Sequence, residues 1–423
     1  MVKRLVLAII GIAMYSASAQ NGTLSPYSSL GIGDFRSVNS IENQMMGGLG
    51  VYTDSIHLQL NNPASLGKLG LTAYAAGFSH KEVRLETFAE QQRPSVSNFE
   101  YLGLAFPLIA QKAGVALGIK PYSSVGYDLE QLQTVQGVTT ANQFTGEGGI
   151  NQAFLSAGFR LLPRLNIGAT VNFHFGRIDL TRVQVTDGIA YGTLDSRTSD
   201  ISGFDFNYGL TWEPMVSSKH TLFTSVRINT QTNLVSSNRQ RISSFVPLTG
   251  IEIEGIDVNL DRDNLRFTEI KIPTTYTLGL GYGEDKHWFV GAEYGIQQFS
   301  DFENRFLESA NVVYENASSL ALGGFYVPDY TSIDTYLNRV TYRAGLRLDN
   351  TGMVINDKAL ENFGITFGLG LPLGAESEFS NLNLGFELGR RGTTMNGLVR
   401  ESYFKVSLGL SFADRWFRKR QIN

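Results

Sequence analysis

The chain contains no cysteine. That excludes a disulfide framework, a thiolate metal site and a cysteine nucleophile. Charged residues make up 17% of its 423 residues, against about 25% in soluble proteins. The formal net charge is −4, which offers no electrostatic footprint for nucleic acid. Five histidines, His57, His80, His174, His220 and His287, are scattered without metal-ligand spacing. No G-x-S-x-G, H-E-x-x-H or G-x-x-x-x-G-K-[ST] pattern occurs. No stretch beyond the N-terminus reaches the roughly 18 consecutive apolar residues of a membrane-spanning helix. Catalytic, cofactor and metal roles are therefore assigned to no residue, and the chain is not read as an enzyme.

What the chain does have is glycine (45 residues) and aromatics (27 Phe, 18 Tyr and 3 Trp). Few charges with many aromatics and glycines suit a membrane barrel. At the N-terminus, Lys3 and Arg4 precede the apolar run Leu5 to Ala13, and Ala17-Ser18-Ala19 follows. This is the pattern of a secretory signal peptide cleaved after Ala19, so residues 1–19 are excluded from the fold. Export without a spanning helix leaves a soluble secreted protein or a Gram-negative outer-membrane barrel.

Alternation decides between them. In "SYFKVSLGLSF", Phe404, Val406, Leu408, Leu410 and Phe412 share one face, opposite Lys405, Ser407, Gly409 and Ser411. "NLNLGFELG", "VTYRAGLRLD", "TYTLGLGYG" and "NIGATVNFHFG" repeat the pattern. Period-2 runs with one apolar face are strands. Runs of about nine or more residues suit tilted strands that cross a bilayer, with the apolar face toward lipid. The expected fold is all-β, a transmembrane antiparallel β-barrel over residues 67–413.

The strand count follows from the turns. Short links at Ala110-Gln111, Pro163-Arg164, Ser217-Ser218 and Glu284-Asp285 are expected at the periplasmic end, and longer links near 127–149, 187–201 and 235–265 outside. Roughly thirteen strands are plain, and an even number is expected. A strand at Val313 to Val327 restores the alternation of short and long links, for about fourteen strands. The segment "FGITFGLGLPLG", Phe363 to Gly374, first resembles a dinucleotide fingerprint, but no helix pattern follows it, as that motif requires. Its glycines fall on one face of a strand that runs down to a turn at Ala375–Ser377.

Residues 20–66 read as a compact hatch folded into the barrel mouth, with Asn61, Asn62 and Pro63 forming the turn before the first strand. Alternation places Arg160, Asn172, His174, Glu293, Arg343, Arg347, Asn383, Glu387 and Lys405 on the inward face, a polar and charge-paired lumen. Asp257, Asp261 and Asp263 lie in an outer loop. A calcium site there would lack the EF-hand glycine and terminal glutamate, so a solvated loop is the better reading. Residues 414–423 form a periplasmic tail in which Arg415, Trp416, Phe417, Arg418, Lys419 and Arg420 suit an interfacial anchor or a docking segment.

The order of signal peptide, glycine-rich segment, "NNPASL" and long alternating strands resembles the FadL-type long-chain fatty-acid transporter family of the outer membrane. The C-terminal stretches "YVPDYTSIDTYLNRVTYRAGLRLD", "NFGITFGLGLPLG", "NLGFELGRRGT" and "DRWFRKR" look like the Bacteroidota branch. The resemblance implies an N-terminal hatch and an outer-membrane location. Transporters of this family pass hydrophobic ligands through an apolar interior, whereas the inward positions here are polar. Relatives of the fold in Bacteroidota serve as barrel subunits of secretion or barrel-assembly machines. The expected function is thus a non-enzymatic, partner-docking subunit of an outer-membrane protein machine. The alternative is a passive uptake channel for hydrophobic molecules such as long-chain fatty acids. The expected partners are outer-membrane lipid and lipopolysaccharide, and proteins at the outer loops or tail; a hydrophobic ligand belongs to the alternative.

Overall fold

The computed structural model describes residues 22–36, 39–307, 311–373 and 380–414. The signal peptide, the turn at Ala375–Ser377 and the tail residues Arg415, Trp416, Phe417, Arg418, Lys419 and Arg420 lie outside the described residues. The wall strands are β1 (Thr72–Glu86), β2 (Ser95–Ile109), β3 (Ala113–Val135), β4 (Val138–Leu162), β5 (Leu165–Thr186) and β6 (Gly192–Trp212). Next come β7, bent between His220–Asn229 and Thr232–Phe245, and β8, bent between Phe267–Ile272 and Thr275–Glu284. The wall continues with β9 (Trp288–Gln297), β10 (Ala317–Tyr326), β11 (Thr341–Ile355), β12 (Lys358–Pro372), β13 (Asn381–Arg391) and β14 (Arg400–Asp414). Neighbours pair antiparallel, and β14 pairs back onto β1 from Thr72↔Asp414 to Glu86↔Arg400. The result is a closed barrel of 14 strands.

Closure satisfies the backbone groups in the bilayer, where no water can. The alternation sorts the side chains accordingly. Along β12 and β13, Phe363, Phe367, Phe386 and Leu388 are exposed on the outside, while Thr366, Asn383 and Glu387 are buried within. Val340, assigned by alternation to the lipid side, is buried instead. It precedes β11, where the short 3-10 turn Tyr336–Arg339 leads the chain in.

The outer loops differ from expectation. Residues 127–149 are not a loop: β3 and β4 run for 23 and 25 residues and turn at Gln136-Gly137. Both turn residues have positive φ, 53° and 82°, the conformation of a two-residue hairpin. Residues 187–201 are mostly the start of β6, and 235–245 continue β7, followed by a further strand at Glu252–Asp257. The extensions were illegible because water bathes both faces there, so no apolar stripe marks "DLEQLQTVQGVTTANQFT". At about 3.3 Å per residue, β4 reaches roughly 80 Å, whereas the apolar band of such barrels is about 25 Å tall. On the opposite side, β9 and β10 have 10 residues each. The barrel therefore carries a one-sided sheet above its rim. Beyond Ser124, β3 pairs only with β4, and Glu252–Asp257 pairs only with β7, so the sheet has two free edges.

Residues 22–36 and 39–71 pack against the inner face of the wall. They contain the short turns Pro26–Ser29 and Pro63–Gly67, a one-turn helix Ile41–Gln44 and a two-residue strand Asp34–Phe35. Asn62 caps the second turn, its Oδ1 accepting from the Ala64 amide at 3.2 Å. Glycines on the wall allow the approach. A Cβ on Gly168 would collide with Pro63 and Ala64, and one on Gly345 with Met46 and Gly47. Ile41, Met45, Leu58, Leu60, Leu66 and Leu69 pack there with Ala73, Tyr101, Ala116 and Phe154 of the wall.

Candidate functional site

The lumen falls into three levels. Toward the outer end, Ile150, Ile178, Ile201, Leu234 and Ile270, one from each of β4 to β8, form an apolar belt. Tyr27, Ile32, Phe299 and Phe302 fill it. Alternation alone overlooked this belt, because each strand contributes a single isoleucine or leucine to an otherwise polar inner face. The signal that would have found it is the register, which brings Gly176 opposite Ile201 and Leu234 opposite Ile270.

The middle level is charged. Arg347 meets Glu387 at 2.9 Å and Asp349 at 3.0 Å. Arg343 donates to Asn383 Oδ1 at 3.1 Å, and Asn383 Nδ2 donates to Glu42 of the inner segment at 2.7 Å. Lys405 donates to Gln44 at 2.8 Å and stands 3.6 Å from Glu100. Glu293 binds Arg227 at 2.7 Å. His174 Nε2 lies 2.7 Å from Asp205, which also accepts from Asn172. Arg160 is half-buried, with its Nε lacking a partner among the described residues. A cavity of 520 Å³ opens among these groups, lined by Lys81, Glu100, Arg227, Glu293, Glu387 and Arg391, among others. The nine inward candidates therefore divide: Glu293, Arg347, Glu387 and Lys405 line this cavity, while Arg160, Asn172, His174, Arg343 and Asn383 do not.

The inner segment is tied to the wall at every level. At the top, Asp34 meets Arg391 at 2.6 Å, and Arg36 meets Glu100 at 3.2 Å. Burial opposes the charge on Asp34, but the Arg391 guanidinium outweighs it and holds the carboxyl below its usual range. Near the tight turns, Lys68 meets Glu213 at 2.5 Å and the Tyr52 hydroxyl donates to Asp285 at 3.0 Å. His57 Nδ1 lies 2.5 Å from Asp54, and its Nε2 faces Asn381 Nδ2 at 3.0 Å. Asp257, expected in an outer loop, instead ends the strand Glu252–Asp257 opposite Arg241 and pairs with it, while Asp261 pairs with Arg266. Among the described residues no cluster of three or more His, Asp or Glu fits a metal ion.

One stretch of the wall is unzipped. β2 and β3 pair from Ile109↔Ala113 up to Leu102↔Ile119 and no further. Above that point the inner segment's strand takes the vacated edge of β3, with Asp34↔Ser124 and Phe35↔Ser123. Phe35 packs edge-on against Tyr122 and Phe299.

A family model described as BamG matches residues 1–423. The chain belongs to the BamG family. Solved structures similar to this BamG-family barrel include the CymD monoaromatic hydrocarbon channel, at 14% identity and a TM-score of 0.59, covering 91% of this chain and 100% of that one. A Pseudomonas aeruginosa FadL homologue is 13% identical with a TM-score of 0.58, covering 90% and 99%. The Pseudomonas putida toluene transporter TodX is 16% identical with a TM-score of 0.59, covering 91% and 100%. At such identities the likeness establishes a FadL-type fold. No curated protein matches the sequence.

Proposed function

We propose that this BamG-family barrel is a non-enzymatic scaffold of the outer membrane that docks protein partners within a secretion or barrel-assembly machine. The observation that carries this reading is the one-sided sheet above the rim. Its edges and tip expose Leu132, Val135, Ile189, Tyr191, Ile253 and Ile256, well beyond the lipid-facing stripe, where apolar surface marks a protein contact. The ion-paired inner segment adds support, because a scaffold needs no open path. The test is purification from native membranes in mild detergent. The wild type is expected to elute as a stoichiometric complex that an Ile253→Asp, Ile256→Asp variant loses. Recovery of the wild-type chain alone would overturn the reading.

A second reading, passive entry of hydrophobic molecules, is favoured by the unzipped β2–β3 stretch beside the apolar belt. The structural neighbours include a monoaromatic hydrocarbon channel and a toluene transporter, which supports it at the level of fold. In this reading a ligand enters where Asp34–Phe35 now sits. Toluene or oleate flux into proteoliposomes tests it, and flux no greater than that of empty liposomes would exclude it.

A further inference from the structure

A second cleft opens at the outer rim of β9 to β13, where Asp349 and Asn362 border both it and the lumen cavity. It measures 530 Å³ and is lined by Tyr294, Leu320, Leu348, Phe363, Arg390 and Thr393, among others. The first four continue the lipid-facing stripes of β9 to β12, and three of them, Tyr294, Leu348 and Phe363, are exposed. Arg390 stands at the outer end of the β13 stripe, directly above Leu388 and Phe386, and forms no ion pair among the described residues.

Arg390 is not isolated. Ser402 of β14 is its register partner, and Ser402 is in turn the partner of Arg84 on β1. One step higher, Arg400 pairs with Glu86 at 2.6 Å, and Arg84 stands 3.7 Å from the same carboxylate. Three outward arginines thus lie on three adjacent strands, two of them on one carboxylate, at the height where the apolar stripes end. Glu82 lies a step lower on the same face, opposite Phe404, and Glu361 lines the cleft on β12, two residues from Phe363, the register partner of Arg390. Arg400 and Arg84 share Glu86, which leaves Arg390 as the arginine of the three with no ion pair among the described residues.

A planar guanidinium with free N–H groups matches a phosphate, and basic side chains at the end of a lipid-facing surface recruit anionic headgroups. We infer that this face binds a phosphorylated lipid of the outer leaflet. The phosphate sits against Arg390 and Arg84, Ser402 donates its hydroxyl, and the acyl chains lie along Phe363, Leu348, Leu320 and Tyr294. Continuity with the lipid-facing wall selects a bilayer-resident molecule over a soluble anion or a protein.

The test uses the full chain in phosphatidylcholine nanodiscs with and without bisphosphorylated lipid A, and reads lipid retention by native mass spectrometry. The wild type is expected to retain lipid A selectively over phosphatidylcholine. The double variant Arg84→Gln, Arg390→Gln is expected to weaken retention about tenfold, the loss of about 1.4 kcal/mol. Glu361→Gln is expected to strengthen it, an outcome that mere loosening of the wall would not give. Displacement of lipid A by inorganic phosphate alone would assign the site to a free anion and overturn the lipid proposal. So would equal retention by wild type and arginine variant, or loss of retention only when a copurifying protein is removed.

Discussion

Asp34 and Arg391 form a 2.6 Å ion pair that ties the inner segment's strand to the outer end of β13. Both side chains are largely buried. Breaking a buried pair from one side costs about 3–5 kcal/mol, because the remaining charge is stranded. Arg391→Ala is therefore expected to release residues 22–36 while the wall stays closed. Hydrogen exchange by mass spectrometry should show faster exchange in that segment and unchanged protection of β12 to β14. Asp34→Asn combined with Arg391→Gln should restore part of the protection. Equal protection in wild type and Arg391→Ala would show that the pair holds nothing.

The register Asp34↔Ser124 supplies a lock. Directly opposed residues of an antiparallel pair stand about 4.5–5.5 Å apart at Cα, within disulfide reach. The chain has no native cysteine, so Asp34→Cys with Ser124→Cys gives a single defined bond. Oxidation should leave partner binding intact if the barrel is a scaffold. If it is an entry path, oxidation should stop toluene or oleate flux and reduction should restore it. One variant thus tests the scaffold by partner binding and the entry path by flux.

The Asp54–His57 contact predicts a pH window for the inner segment. Burial lowers the affinity of His57 for its proton, but the Asp54 carboxylate and their hydrogen bond outweigh it and raise the pKa above 6.5. Asp54 is held below its ordinary 3.8, burial again being outweighed by His57. A raised histidine contributes stability that is complete below 6.5 and is lost as pH climbs through the folded value. A depressed aspartate contributes stability that is complete above 3.8 and is lost as pH falls through its folded value. The clip is thus tightest between 3.8 and 6.5. Exchange protection of residues 54–60, corrected for intrinsic rates, should fall on the alkaline side of this window. His57→Gln should remove that dependence, and a pH-flat wild type would contradict the assignment.

The legible parts of the molecule were those where lipid imposes a rule. Phe404 to Phe412 and Leu382 to Leu388 alternate because one side of each strand meets hydrocarbon, and those strands could be placed within a few residues. Where water lies on both sides the rule lapses, so Asp128 to Gln143 read as a loop although they form a hairpin. The site depended on non-local register. Nothing near Asp34 in sequence points to Arg391, and nothing near Ile150 points to Ile178. Nor does the local sequence mark the unzipping of β2 from β3, which depends on Asp34–Phe35 arriving from the far N-terminus to take the edge. Arg390 was visible only as one of two adjacent arginines; its outward side and its neighbours Arg84 and Arg400 appear only once β13, β14 and β1 are paired.

Lys120 gives the last prediction. It is almost wholly buried on the inner face of β3. Its ammonium reaches the Leu60 carbonyl at 3.4 Å and lies 5.6 Å from the centre of the Phe154 ring, with no ion pair among the described residues. A long contact to one carbonyl and a ring face does not replace the hydration an ammonium loses, and an uncompensated buried charge costs several kcal/mol. Lys120→Met keeps the stem and its packing while removing the charge. It is expected to stabilise the barrel by about 1 kcal/mol or more, even though the Leu60 carbonyl loses its donor, which costs about 1–3 kcal/mol when an acceptor is left wholly unsatisfied. Thermal unfolding in detergent should therefore show a higher Tm for Lys120→Met than for the wild type, with Lys120→Arg lower than both because the larger cation does not fit. If Lys120→Met lowers Tm and loosens residues 58–62 together, the lysine is instead a bolt that holds the inner segment through Leu60, and its charge is stabilised by groups on the wall such as Asp205.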